Sequence, residues 1–126
     1  MSKQNLYLGK SGEELAVDLL AEIGYKIIAR NYKTRLSEID IIATDKDTIC
    51  FIEVKSRSQD RFGMPQESIS RHKQRQVAKT ALMFLKQRNL LGKKARFDVV
   101  SVLYGDCEPK LDLIKNAFEL DTRFTY

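Results

Sequence analysis

A mixed α/β fold in the order αβββαβ, with a shorter fifth strand at its end, is what three features of this 126-residue sequence predict. An amphipathic helical repeat opens the chain, three half-buried strand patterns follow it, and a long helical repeat separates these from further β-branched and aromatic runs. A strand meander that then crosses through a helix to another strand makes a mixed central sheet flanked by helices. The length is that of one domain spanning 1–126, and with 43% apolar residues it buries a core without disulfides or structural zinc.

Leu15, Ala16, Leu19, Leu20 and Ile23 recur at helical spacing and Gly24 stops them, which predicts a helix over 9–23 with its apolar stripe centred near Leu19 and Ile23. Strands are predicted over 25–33, 38–43 and 48–57, the last two joined as a hairpin by Asp45-Lys46-Asp47. After a loop containing Phe62-Gly63-Met64-Pro65, the residues Val77, Ala78, Ala81, Leu82 and Leu85 predict a helix over about 70–89, capped near Gly92. Phe97, Val99, Val100, Val102 and Leu103 mark a strand over 96–104, and the fifth runs over 111–118.

Twenty-two basic against 17 acidic residues leave a charge of +5. Such a balance, with so many apolar residues, excludes a disordered tail and directs the surplus toward polyanions. No run approaches the roughly 18 apolar residues of a spanning helix. Met1-Ser2-Lys3-Gln4-Asn5 also lacks the apolar core of a signal peptide, so a cytoplasmic protein without a membrane partner is expected. Cys50 and Cys107 lack the paired spacing of metal or redox motifs and are expected as free thiols. The single histidine, His72, excludes a histidine-rich zinc site.

Within Phe51-Ile52-Glu53-Val54-Lys55, strand alternation places Glu53 and Lys55 on one face; Glu38 and Asp40 share a face of the preceding strand. A two-residue turn at Lys46-Asp47 pairs position 45 with 48, and so sets Asp40 opposite Glu53 and Glu38 opposite Lys55. Like charges directly opposite destabilise a sheet unless a cation lies between them. Magnesium suits the gap, since it accepts one or two carboxylates and fills its remaining positions with water and phosphate oxygens. Solvated salt bridges on an open sheet face are the plainer alternative. Ile39, Ile41, Ile42, Phe51, Ile52 and Val54 argue against it, because strands this apolar are largely buried, and charges there are paired, metal-bound or functional.

Glu13 in the first helix, Asp40, and Glu53-x-Lys55 together resemble the Asp, (Asp/Glu)-x-Lys core of the restriction-endonuclease-like nuclease superfamily. More closely, Gly12-Glu13-x-x-Ala16, Arg30-Asn31-Tyr32, Ser37-Glu38-Ile39-Asp40, Phe51-Ile52-Glu53-Val54-Lys55-x-Arg57, Phe62-Gly63-x-Pro65 and Arg96-Phe97-Asp98-Val99-Val100 resemble the bacterial YraN-like family of predicted endonucleases. The likeness runs from about residue 9 to 118, with Ser37 where that family usually has glycine. The family is similar in turn to archaeal Holliday-junction resolvases. The resemblance implies a restriction-endonuclease-like αβββαβ core and a Mg2+- or Mn2+-dependent endonuclease that hydrolyses DNA phosphodiesters, with a homodimer suggested by the resolvases. It also implies that Asp40 and Glu53 bind the metal, that Lys55 orients or helps deprotonate the attacking water, and that Glu13 completes the site. Helical geometry supports Glu13 independently: it lies at the margin of the apolar stripe, whereas Glu14 is almost opposite.

From Ser68 to Phe97 there is no acidic residue, while Arg71, Lys73, Arg75, Lys79, Lys86, Arg88, Lys93, Lys94 and Arg96 are basic. Residues 64–126 hold twelve basic and seven acidic residues, so the whole net charge lies in that half. Arg75, Lys79 and Lys86 fall within about 40° of one another on the helical wheel, a stripe able to track phosphates. A solvated helix face normally mixes both signs. Arg57, Arg71, Lys73, Arg75, Lys79 and Lys86 are the expected nucleic-acid contacts. Nothing resembles a base-reading helix, so selection of DNA structure, branched, nicked or flapped, is expected over selection of sequence. Tyr25, Tyr32 and Phe62 are read as packing residues, and Asp98 stays open between catalysis and tying a strand end. The rival readings are a nucleic-acid-binding module of the same fold without catalysis, and an interaction module whose carboxylates are structural.

Overall fold

The computed structural model describes residues 10–58 and 69–118. Helix α1 (Gly12–Glu22) begins at Ser11, whose hydroxyl accepts the Glu14 N–H at 3.1 Å, and Glu13 and Glu14 complement the positive helix start. It ends in a Schellman motif, with Gly24 at φ 100 and its flanking amides bonded back to Ala21 and Leu20. Strands β1 (Lys26–Lys33), β2 (Glu38–Asp45) and β3 (Thr48–Ser58) follow, then helix α2 (Arg71–Gln87) and strands β4 (Lys94–Tyr104) and β5 (Lys110–Phe118). The loop motif Phe62-Gly63-Met64-Pro65 lies outside the described residues.

The strands form one sheet in the order β1-β2-β3-β4-β5, antiparallel except for the parallel β3–β4 pair that α2 connects. This is the expected mixed α/β architecture, consistent with a restriction-endonuclease-like core. The α1 residues Leu15, Ala16 and Leu20 pack on one sheet face with Ile41, Ala43, Cys50, Ile52, Val100 and Val102. On the other face Val77, Ala78, Ala81, Phe84 and Leu85 of α2 meet Ile39, Ile42, Phe51 and Phe97. Phe84 stands edge-on to both Tyr32 and Phe51, at 5.2 and 6.0 Å between centroids. Both faces are therefore covered, as the apolar strands require.

Two local expectations are corrected. The α1 stripe centres on Leu15, Ala16 and Leu20, and Ile23 is 49% exposed because the helix has already ended at Glu22. The left-handed residue that closes α2 is Asn89 at φ 55, with Leu90 N–H on Leu85 O, whereas Gly92 serves the next turn.

At the Asp45 end of β2, Arg96 joins three groups. Its Nε donates to both oxygens of the fully buried Asp98, and its Nη2 to Asp45 and to the Tyr25 hydroxyl. Asp98 also accepts the Asn116 N–H at 3.0 Å, beside the bulge where the β4–β5 register shifts. Asp98 thus ties the start of β4 to the end of β5, one of the two roles its sequence context left open. Arg96, counted in the basic stretch, is committed inward. Cys50 is buried and burial pushes its thiol up to about 12, so it is inert; Cys107 is exposed, and both are free thiols.

Candidate functional site

The two-residue turn at Lys46-Asp47 forms with Lys46 at φ 57, and the hairpin register runs from Asp45–Thr48 to Ile41–Ile52, as the sequence predicts. The ladder ends there. The next strand amide, Val54 N–H, donates instead to Asp40 Oδ2 at 2.8 Å, so the carboxylate itself closes the gap between β2 and β3. The expected Glu38–Lys55 pair does not form, because the β2–β3 ladder has ended before it; on its other side Glu38 pairs with Lys33 of β1, with 3.7 Å between the charged atoms.

Asp40 and Glu53 line one open cleft of about 370 Å³ together with Glu38, His72, Lys73 and Gln76. Burial pushes the Asp40 carboxyl up to about 7, and the charges of Glu53, Glu13 and Glu38 add to the effect against the opposing Val54 hydrogen bond. Asp40 is therefore within electrostatic reach of all three other carboxylates. Lys55 lies on the Glu53 side, its Nζ 3.9 Å from Glu53 Oε1, and a closer cation, Lys73 Nζ, donates to that same oxygen at 2.8 Å.

Glu13 arrives from α1, which approaches β3 closely at Gly12: a Cβ there would strike the Ser56 hydroxyl. Among the described residues its Oε1 is buried without a hydrogen-bond partner, and Arg30 Nη2 lies 3.7 Å away. Arg30 reaches that face of the sheet because Asn31 adopts φ 53, so that Arg30 turns to α1 while Tyr32 turns to Phe84 of α2. Asparagine tolerates this conformation better than most residues. Ser37 makes two bonds glycine could not, to Gln76 O and to the buried Thr80 hydroxyl, which pin the start of β2 to α2.

The donor set fits a hard divalent cation. Three carboxylates share the cleft, Asp40 among them unfavourable as an anion, and a fourth, Glu13 nearby, has a buried oxygen with no hydrogen bond among the described residues. Among the described residues no three His, Cys, Asp or Glu side chains form a ready cage, so water and substrate oxygens would complete the coordination.

The description "Uncharacterised protein family UPF0102" belongs to the family model that matches residues 12–102. The chain is a member of that family. A UPF0102 protein of Syntrophus aciditrophicus is 48% identical over 117 residues, 93% of this chain and 92% of that one. One of Geobacter metallireducens is 46% identical over 95% of this chain and 98% of its own, and one of Persephonella marina 44% over 90% and 94%. The UPF0102 match takes in Glu13, Asp40, Glu53 and Lys55 and all of α2.

On α2, Arg71, Arg75, Lys79 and Lys86 are exposed, whereas Lys73 turns into the cleft. Lys94 pairs with Asp47, and Arg88 lies over the Phe84 ring at 5.1 Å. Arg57 is half-buried on β3, two residues beyond Lys55. Tyr32 is a packing residue as expected, donating to Gln87 at 2.6 Å, and so is Tyr25; Phe62 lies outside the described residues. Sequence reasoning missed the role of Lys73, for which a helical wheel of α2 holds no signal. It missed the Arg96 network too, although Arg96 and Asp98 two apart on an apolar strand were a usable cue.

Among the described residues no helix is long and apolar enough to cross a membrane.

Proposed function

We propose that this UPF0102 protein is a cytoplasmic, metal-dependent endonuclease that hydrolyses DNA phosphodiester bonds and selects branched or flapped structure over sequence. The observation that carries this reading is the Asp40 carboxyl, anchored by Val54 N–H yet disfavoured as an anion beside Glu53, with Lys55 on the same side. Asp40 and Glu53 would hold Mg2+ or Mn2+, which when bound supplies charge neutralisation and an acidified water. Lys55 offers its ammonium to the attacking water and to charge developing on the phosphoryl oxygens. Glu13 accepts a hydrogen bond from water in the site through its unsatisfied Oε1. The exposed stripe of α2 tracks backbone phosphates.

Purified protein with Mg2+ or Mn2+ is expected to cut flapped or four-way DNA in preference to single strands and plain duplex, and to stop on chelation. Failure to cut any member of that panel would overturn the enzymatic reading. One observation favours the second reading, a non-catalytic DNA-binding module: the Lys73 ammonium satisfies Glu53 without a metal. Binding without cleavage under every metal condition is its signature.

Charge reversal at Arg75 and Lys79 together is expected to weaken DNA binding and to reduce the slope of log affinity against log salt by about two. Fluorescence anisotropy across a salt series measures both. An unchanged slope would remove α2 from the binding surface.

A further inference from the structure

We propose that Lys73 is a positioning residue that exchanges partners, holding Glu53 in the metal-free protein and moving to a DNA phosphate when a divalent cation takes that carboxylate. The proposal rests on the reading of Asp40 and Glu53 as the metal pair. Lys73 sits in the first turn of α2, its own N–H fixed on the N-cap hydroxyl of Ser70 at 3.1 Å. A cation in the first turn opposes the helix dipole, and no acidic residue shares that turn with it. What holds it there is the 2.8 Å bond to Glu53 Oε1, a charge-assisted contact to a carboxylate only 15% exposed.

That oxygen cannot serve an ammonium and a divalent ion at once. Binding of the ion removes Lys73's acceptor and places a like charge beside it. A side chain 40% exposed, on a four-carbon stem with three rotatable donors, can then turn within the cleft. Asp40, Glu38 and Glu53 are the anions lining that cleft, and the first two lack the contact that Glu53 made. An incoming phosphate is the acceptor that replaces Glu53. Metal and DNA binding are thereby coupled through one side chain, and the coupling is reciprocal.

The test measures Mn2+ binding by titration calorimetry in the absence of DNA, for the parent, Lys73→Gln, Lys73→Arg and Lys55→Gln. Losing a charge-assisted competitor should tighten Mn2+ binding by about 5- to 10-fold in Lys73→Gln. Lys55→Gln removes an equal charge, 3.9 Å from the same oxygen and without its hydrogen bond, and should tighten it by only about 2-fold. Lys73→Arg keeps a cation on Glu53 and should stay within about 2-fold of the parent. A second arm compares the affinity of four-way DNA in Ca2+ and in EDTA, and the gain from metal should shrink in Lys73→Gln by the factor seen with Mn2+. Mn2+ affinity in a folded Lys73→Gln equal to or weaker than the parent's would overturn the exchange while leaving the endonuclease reading intact. A parent that binds no Mn2+ would overturn both.

Discussion

Lys55→Ala is expected to lower DNA cleavage by at least about 100-fold, the scale on which loss of one oriented electrostatic group acts, while DNA affinity stays within about twofold. The two functions separate because Lys55 sits beside Glu53 in the cleft whereas the phosphate-tracking cations lie on the exposed face of α2. Asp40→Asn should remove cleavage by another route, loss of metal affinity, and excess Mn2+ should restore part of it; Lys55→Ala should gain nothing from added metal. Stability distinguishes the two variants further. The folded state raises the Asp40 carboxyl from 3.8 to about 7, so it binds that proton more tightly than the unfolded chain does. Its stabilising contribution is complete below the unfolded value and is lost as pH rises through about 7. Asparagine keeps an oxygen for Val54 N–H and carries no charge, so without metal Asp40→Asn should be more stable than the parent at about pH 8. Partial exposure screens the effect, which leaves about 1–2 kcal/mol. The gain should vanish near pH 4. Thermal denaturation at the two pH values checks the sign, and a less stable Asp40→Asn at pH 8 would show that the ionised carboxyl is not under strain.

Arg96→Met is expected to cost about 3–5 kcal/mol, because it strands a buried charge. Asp98 is fully buried and would keep the Asn116 N–H and the weak Cys50 thiol contact but no cation, while Asp45 and the Tyr25 hydroxyl lose the same guanidinium. Replacing Asp98 by leucine in the same chain should recover most of that loss, since the buried charge is then gone as well. Urea midpoints at constant slope give the comparison. A loss under about 1 kcal/mol for Arg96→Met would mean that water reaches Asp98.

Why some of this was readable in the sequence and some was not follows from the range of the forces involved. The hairpin register as far as Ile41–Ile52, which leads Asp40 toward Glu53, follows from a two-residue turn and alternation, both local; the predicted Asp40–Glu53 pair lies past its end, where alternation breaks, with Ile39 packed on the α2 face and Ile41 on the α1 face. The face taken by Glu13 follows from helical periodicity, although the stripe centred one turn earlier than its apolar residues suggested. Lys73 looked like one more member of a basic helix, because its contact with Glu53 depends on how α2 docks across the sheet, which no local period encodes. The Glu38–Lys55 pairing failed for a related reason: a side chain, Asp40, took the amide that would have continued the ladder. Asn31 shows the opposite case, a residue whose type marks a left-handed kink that the strand pattern alone passes over.

The parallel β3–β4 pair has a kinetic meaning. The β2–β3 hairpin closes over two residues, but Thr48 meets Lys94 only after the whole α2 segment has been looped out and laid against the sheet. Loop-closure entropy makes the first contact early and the second late. The early contact brings together Asp40 and Glu53, and the ammonium that relieves Glu53 arrives only with α2. The segment that carries the acidic pair is thus topologically the easiest to form and electrostatically the least rewarded for forming first. The commitment to fold falls to the apolar contacts of Phe51, Phe84 and Phe97 across the crossover, which adjoin Glu53 and Lys73 and carry no charge of their own.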